Sequence, residues 1–173
     1  ELMQKYGFNE KTSEEFDDLT IFGRYEKISN HNLKTYIIRA KLEQDKDIYR
    51  DIEIPANTTL YYAAKAVLDS FGFGFDHLFC FGDNPDFYPS DIRYELKTGE
   101  DMESIAGDAE KTALQDVPFF RQPKEKMYFL FDYGDDWEFE IELLDFGVYK
   151  QQKKYPIVLK MNGKAPEQYP ELE

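Results

Sequence analysis

Between Asp136 and Leu143 the chain alternates without a break. Asp136, Glu138, Glu140 and Glu142 stand at every second position, and Trp137, Phe139, Ile141 and Leu143 stand between them. Period two belongs to a β-strand, whose successive side chains leave opposite faces. The pattern therefore demands a strand with an aromatic-rich buried face and an acidic wet face, in a sheet covered on one side. The residues before it, FDYGDD at 131–136, supply a turn. Gly134 can take a positive φ there, and Asp135 or Asp136 can accept hydrogen bonds from turn amides. A hairpin from Tyr128 to Leu144 is predicted.

Other segments carry their own periods. LKTYIIRAKL at 33–42 is rich in β-branched and aromatic residues and reads as a strand. After the polar turn EQDKD, the run from Ile48 alternates and completes an antiparallel hairpin. Pro55 ends it. Thr58 or Thr59 can cap a helix whose stripe is Leu60, Ala63, Ala64, Val67, Leu68 and Phe71, stopped by Gly72. A strand is expected at 77–81, a long loop over 83–107, a short helix near 108–116 and a last strand at 155–161. The tail, with two prolines, is expected to be irregular.

Near the start, Phe16, Leu19, Phe22, Tyr25 and Ile28 recur every three residues after Ser13, a plausible N-cap. This predicts an amphipathic helix that docks on the body, with a partner-binding helix as the alternative. The expected fold is α+β: two antiparallel hairpins with packing helices and a β-grasp-like opening of strand, strand, helix and strand. An N-terminal helical segment, 1–30, would precede a single α+β domain, 31–173.

Composition narrows the function classes. Hydrophobic residues make up 42% and aromatics 17%, enough to build a core. The net charge of −14 opposes broad nucleic-acid binding and binding to anionic membranes. Lys150, Lys153 and Lys154 form the tight basic cluster, expected in a solvated loop. The single cysteine, Cys80, excludes an internal disulfide and sits in an apolar run, which suits a small buried side chain better than a nucleophile. No run reaches the ~18 apolar residues of a membrane helix. The opening ELMQKYGF lacks a signal-peptide pattern. A cytoplasmic protein is expected, and the abrupt ends read as those of a trimmed piece.

The densest chemistry lies at the hairpin turn. Tyr133-Gly134-Asp135-Asp136 has the letters of the RNA-polymerase metal hairpin, but a polymerase needs a far longer chain and a basic template channel. The simplest reading is a tight turn with a wet acidic face. The alternative is a small divalent-metal site using Asp132, Asp135 and Asp136, completed by Asp76, His77, Asp83 or Asp86 if the two hairpins are neighbours. Strand alternation opposes convergence of all three turn aspartates. His77, beside Asp76, could serve as an oriented base, though a structural hydrogen bond explains it as well. His31 is expected to be exposed. GFGF at 72–75 lacks the strand-to-helix setting of a phosphate loop, and no Gly-x-Ser-x-Gly elbow occurs.

Two stretches together carry a resemblance. IPANTTLYYAAKAVLDSFGFGFDHLFCF at 54–81 and YFLFDYGDDWEFEIELL at 128–144, followed by YPIVLKMNGKAPEQY, resemble the Ri-plasmid ORF-three-like family. Its members are uncharacterised, and relatives occur as passengers of insertion elements. The resemblance spans about 33–169. It rests on Asp76, His77, Leu78, Phe81, Asp132, Gly134, Asp135, Asp136, Trp137 and Glu138. It implies an α+β fold and no established activity. Phe139 stands where the family often has His, Phe73 replaces the usual Trp, and the tail lacks a cysteine-containing ending.

The expected function is a non-enzymatic binding or accessory domain. Its candidate ligand-binding residues are Asp76, His77, Asp132, Asp135, Asp136 and Trp137, with a protein or small molecule as partner. No cofactor is expected. The alternative is a divalent-metal-dependent hydrolase or nuclease with carboxylate ligands. The insertion-element relatives suggest a third idea, a helper in DNA transactions.

Overall fold

A computed structural model describes residues 33–86, 92–97 and 106–170. The helix expected within 1–30, and His31, lie outside these residues. The elements are β1 (Lys34–Leu42), β2 (Asp45–Pro55), α1 (Leu60–Phe71), β3 (Phe79–Gly82), β4 (Arg93–Glu95), β5 (Gly107–Asp108), a one-turn 3-10 helix (Leu114–Asp116), β6 (Lys126–Phe131), β7 (Trp137–Val148) and β8 (Ile157–Asn162). All strands join one eight-stranded sheet in the order β5-β4-β3-β6-β7-β1-β2-β8. Every pairing is antiparallel except that of β4 with β5.

This corrects the expected α+β architecture. Among the described residues there is one α-helix against a wide mixed sheet, with no set of packing helices. Strand, strand, helix and strand do follow in that order. The pairing is not that of a β-grasp, however, because β1 lies between β2 and β7 while β3 lies between β4 and β6. Part of the expected loop 83–107 enters the sheet as β4. The helix expected near 108–116 is a single 3-10 turn.

The sheet holds without more helices because its own aromatic side chains fill the covered side. Phe79 and Phe81 of β3, Phe129 and Phe131 of β6, and Phe139 of β7 are buried together. Phe81 stacks on Phe129 at 4.7 Å and Phe129 on Phe139 at 5.5 Å. Each buried Phe contributes ~1.5–3 kcal/mol through burial. α1 lays its apolar stripe over this layer, and Phe71 meets Phe139 edge-on at 5.0 Å. Ala109, Leu114, Val117 and Phe120 join the same core from the segment before β6.

Gly72 ends α1 at φ 75, where its own N–H and that of Phe73 return to Asp69 and Leu68. Thr59 stands at the N-cap, yet its hydroxyl makes no capping hydrogen bond. A buried arginine ties this end of the helix to the sheet. Arg50 Nε donates to the Ser70 carbonyl at 2.9 Å, and Nη1 donates to the carbonyls of Tyr49, Asn162 and Gly163.

The opposite face carries cross-strand charge pairs. Arg39 grips Asp51 with two bonds of 2.7 and 2.8 Å. Lys126 and Lys41 flank Glu140 at 3.0 and 3.5 Å, and Lys41 also reaches Glu142 at 3.8 Å. Of the four acids predicted to form a wet face, Glu140 and Glu142 are therefore matched by lysines, and Glu140 is buried beneath them. Burial pushes the Glu140 carboxyl up, but the hydrogen bond and charge of Lys126, with Lys41 beside it, outweigh that and hold it below its usual value.

Candidate functional site

Register builds the site. Phe79 of β3 lies opposite Phe131 of β6, and the ladder runs one step further, with Asp132 N–H donating to the Leu78 carbonyl at 2.9 Å. The residues just before β3 and just after β6 are thereby neighbours. His77 Nδ1 sits 2.9 Å from Asp76 Oδ1 and 3.5 Å from Asp132 Oδ2. The imidazole is 37% exposed, with its edge against Phe131.

The turn differs from its expected geometry. Positive φ falls on Asp132 (61°) and Asp136 (50°), not on Gly134. Asp132 is buried, and its Oδ1 accepts the Gly134 N–H at 3.0 Å and the Asp135 N–H at 3.4 Å. Its backbone carbonyl accepts from Asp136 N–H at 2.7 Å. Gly134 serves close approach instead: a Cβ there would meet Asp132 Oδ1 at 3.3 Å. Thus Asp132 caps its own turn with one carboxylate oxygen and faces His77 with the other.

Two residues of the tail complete the cluster. Tyr169 Oη donates to the Asp76 carboxylate at 2.9–3.0 Å and lies 2.9 Å from His77 Nδ1. Gln168 Oε1 accepts from Gly74 N–H at 2.7 Å, while its Nε2 donates to the Gly74 carbonyl at 3.2 Å, as a neighbouring strand would. Because carboxylates only accept, the Asp76 contact calls for a proton on His77 Nδ1. Partial burial, the bond to Asp76 and the charges of Asp76, Asp132 and Asp135 hold the Tyr169 phenol well above its ordinary range, so it remains a donor.

The predicted acids divide into two groups. Asp76, Asp132 and Asp135 act on Tyr169, whereas Asp136 acts on Glu138 together with Glu43 and Asp86. Burial first, then those three charges, raise the Glu138 carboxyl above its usual value. Asp83 lies exposed on the loop after β3. Trp137 is half-buried and meets Phe73 edge-on at 4.8 Å, and its indole Nε1 is buried with no hydrogen-bond partner. Cys80 is buried on the other face, its thiol pushed up to about 12 by burial and then by Glu95. Among the described residues, no group of three or more His, Cys, Asp or Glu side chains is arranged to hold a metal ion. Sequence reasoning missed Gln168 and Tyr169, because a tail without periodicity gives no sign of what it touches.

Residues 34–169 match the family of plasmid pRiA4b ORF-3-like proteins. The chain belongs to this family. Among solved structures, a similar fold is that of MM3350 from Methanosarcina mazei Go1, a protein of unknown function. The TM-score is 0.63 at 21% identity, over 78% of this chain and 72% of that one. No curated protein matches the chain. Neither the family nor the structural neighbour indicates a specific function. Among the described residues, no helix is long and apolar enough to cross a membrane.

Proposed function

We propose that the chain is a non-enzymatic binding or accessory domain, and that it receives a cationic group of a protein or small-molecule partner at the Asp76–His77–Asp132–Tyr169 cluster. One contrast carries this reading. On the outer face Asp51, Glu53, Glu140 and Glu142 have Lys or Arg partners, although Glu138 has none among the described residues. Among the described residues, Asp76 and Asp132 have an ion pair only with His77, and Asp135 has none. Three carboxylates around a half-exposed phenol and imidazole form a local negative field, which favours a guanidinium or ammonium.

The test is a titration of the isotopically labelled full chain with acetyl-Gly-Arg-Arg-Gly-amide, against the same peptide with Glu in place of Arg. Amide shifts are expected at residues 74–78 and 134–137 and at the Trp137 indole with the basic peptide only. They should shrink in the Asp76→Asn/Asp135→Asn variant. Silence at these positions, or equal shifts with the acidic peptide, would reject the reading.

A further inference from the structure

A second surface lies at the sheet's edge. β8 pairs with β2, and no described strand lies on its other side. Natural edges are usually blunted by charge, proline or bulges, because an open row of N–H and C=O groups recruits other strands. Here Val158, Leu159 and Met161 are 43%, 49% and 64% exposed. Lys160, the one charge in the strand, lies opposite Asp51 with its ammonium over the Tyr49 ring at 5.2 Å, so it turns across the sheet and not past the edge.

A register shift between Asp51 and Ile52 sets the faces. It puts Val158 opposite Ile52 and Met161 opposite Arg50. Ile52 lies in the core, and Arg50 spreads over Phe71 of α1. Val158 and Met161 therefore share the helix side of the edge, as a short apolar strip.

Charge says what the strip fits. From Tyr149 to Pro166 the sequence has five lysines and no acid, in a chain with 35 Asp and Glu against 21 Lys and Arg. Among these lysines, only Lys153 has a described carboxylate within 4 Å, Glu53 at 3.9 Å. A second copy would set these lysines against their own equivalents while bringing together two bodies of charge −14. An acidic strand meets neither obstacle.

We propose that β8 accepts, by strand addition, an extended segment of a partner protein in which apolar and acidic residues alternate. The backbone ladder supplies affinity, the apolar positions cover Val158 and Met161, and the acids meet the surrounding lysines. This surface is separate from the cluster around His77.

The probe is a blocked eight-residue peptide of alternating Val and Glu. Its Val–Lys counterpart and a Val–Glu peptide with two central prolines serve as controls. Binding heat and hydrogen exchange are followed in the full chain. The Val–Glu peptide alone should bind, protecting amides within 157–162. Lys160→Glu and Met161→Lys, both at exposed positions and checked for an unchanged denaturation midpoint, should each weaken it by about tenfold or more, roughly 1.4 kcal/mol. Comparable binding by either control, protection elsewhere, or indifference to both variants overturns the proposal. So does protection, in the peptide-free chain, of the β8 amides that face away from β2. If independent of concentration, such protection means that another segment of the chain fills the edge; if it grows with concentration, it means self-pairing.

Discussion

Substitution of Asp132 separates its two duties. The residue sits at φ 61 and is buried, with one carboxylate oxygen on the Gly134 and Asp135 amides and the other toward His77. For an ordinary L-residue the left-handed region costs roughly 1–2 kcal/mol, a cost that Asn and Asp bear best. Loss of a side-chain acceptor for turn or cap amides costs about 1 kcal/mol and up to 2. Asp132→Ala suffers both losses and should lose ~2–4 kcal/mol, on the order of 5–15 °C in Tm for a chain this size. Asp132→Gly regains the backbone conformation but not the acceptor, and should lose ~1–2 kcal/mol. Asp132→Asn keeps both and should stay within about 1 kcal/mol of the parent. Gly134→Ala should stay similarly close, since Gly134 is not at positive φ and only the Asp132 carboxylate must yield. Urea midpoints and thermal scans give the order. A glycine variant as unstable as the alanine one would show that φ is not what selects Asp here. An asparagine variant as unstable as alanine would show that the charge facing His77 outweighs the turn.

Other residues give sharp outcomes. Arg50→Met leaves the Ser70, Tyr49, Asn162 and Gly163 carbonyls without their donor and should cost ~2–4 kcal/mol, with faster hydrogen exchange in β8; unchanged β8 exchange would contradict the tie drawn between β2 and β8. Glu140 is depressed in the folded state, so its stabilising contribution is present above the unfolded carboxylate value and fades as pH falls through the lower folded one. Glu140→Gln should therefore flatten the acid limb of stability against pH. Glu138 is raised, so its charge opposes folding at neutral pH, and Glu138→Gln should stabilise there with the gain vanishing in acid. Gln168→Ala should speed exchange of the Gly74 amide, which Tyr169→Phe should leave slow.

What the sequence reveals follows the range of each signal. The alternation in 136–143 places Phe139, Ile141 and Leu143 in the core, and the stripe in 60–71 is the buried side of α1, because in both cases period and burial are set by the same few residues. β4 and β5, three and two residues long, are too short to show a period. Without them the sheet's width is invisible, and helices were expected to do the covering that Phe79, Phe81, Phe129 and Phe131 do for themselves. Alternation also marked Glu140 as wet, although Lys41 and Lys126, far apart in sequence, close over it.

The site turns on a distance no local pattern carries. Asp76-His77 and the 132–137 turn stand more than fifty residues apart, and the pairing of Phe79 with Phe131 makes them one place. That pairing gives a physical reason for the joint appearance of the two quoted blocks. A one-residue slip of β3 against β6 would turn Phe79 and Phe81 out of the core and part His77 from Asp132 at the same stroke. The core thus enforces the meeting of His77 with Asp132.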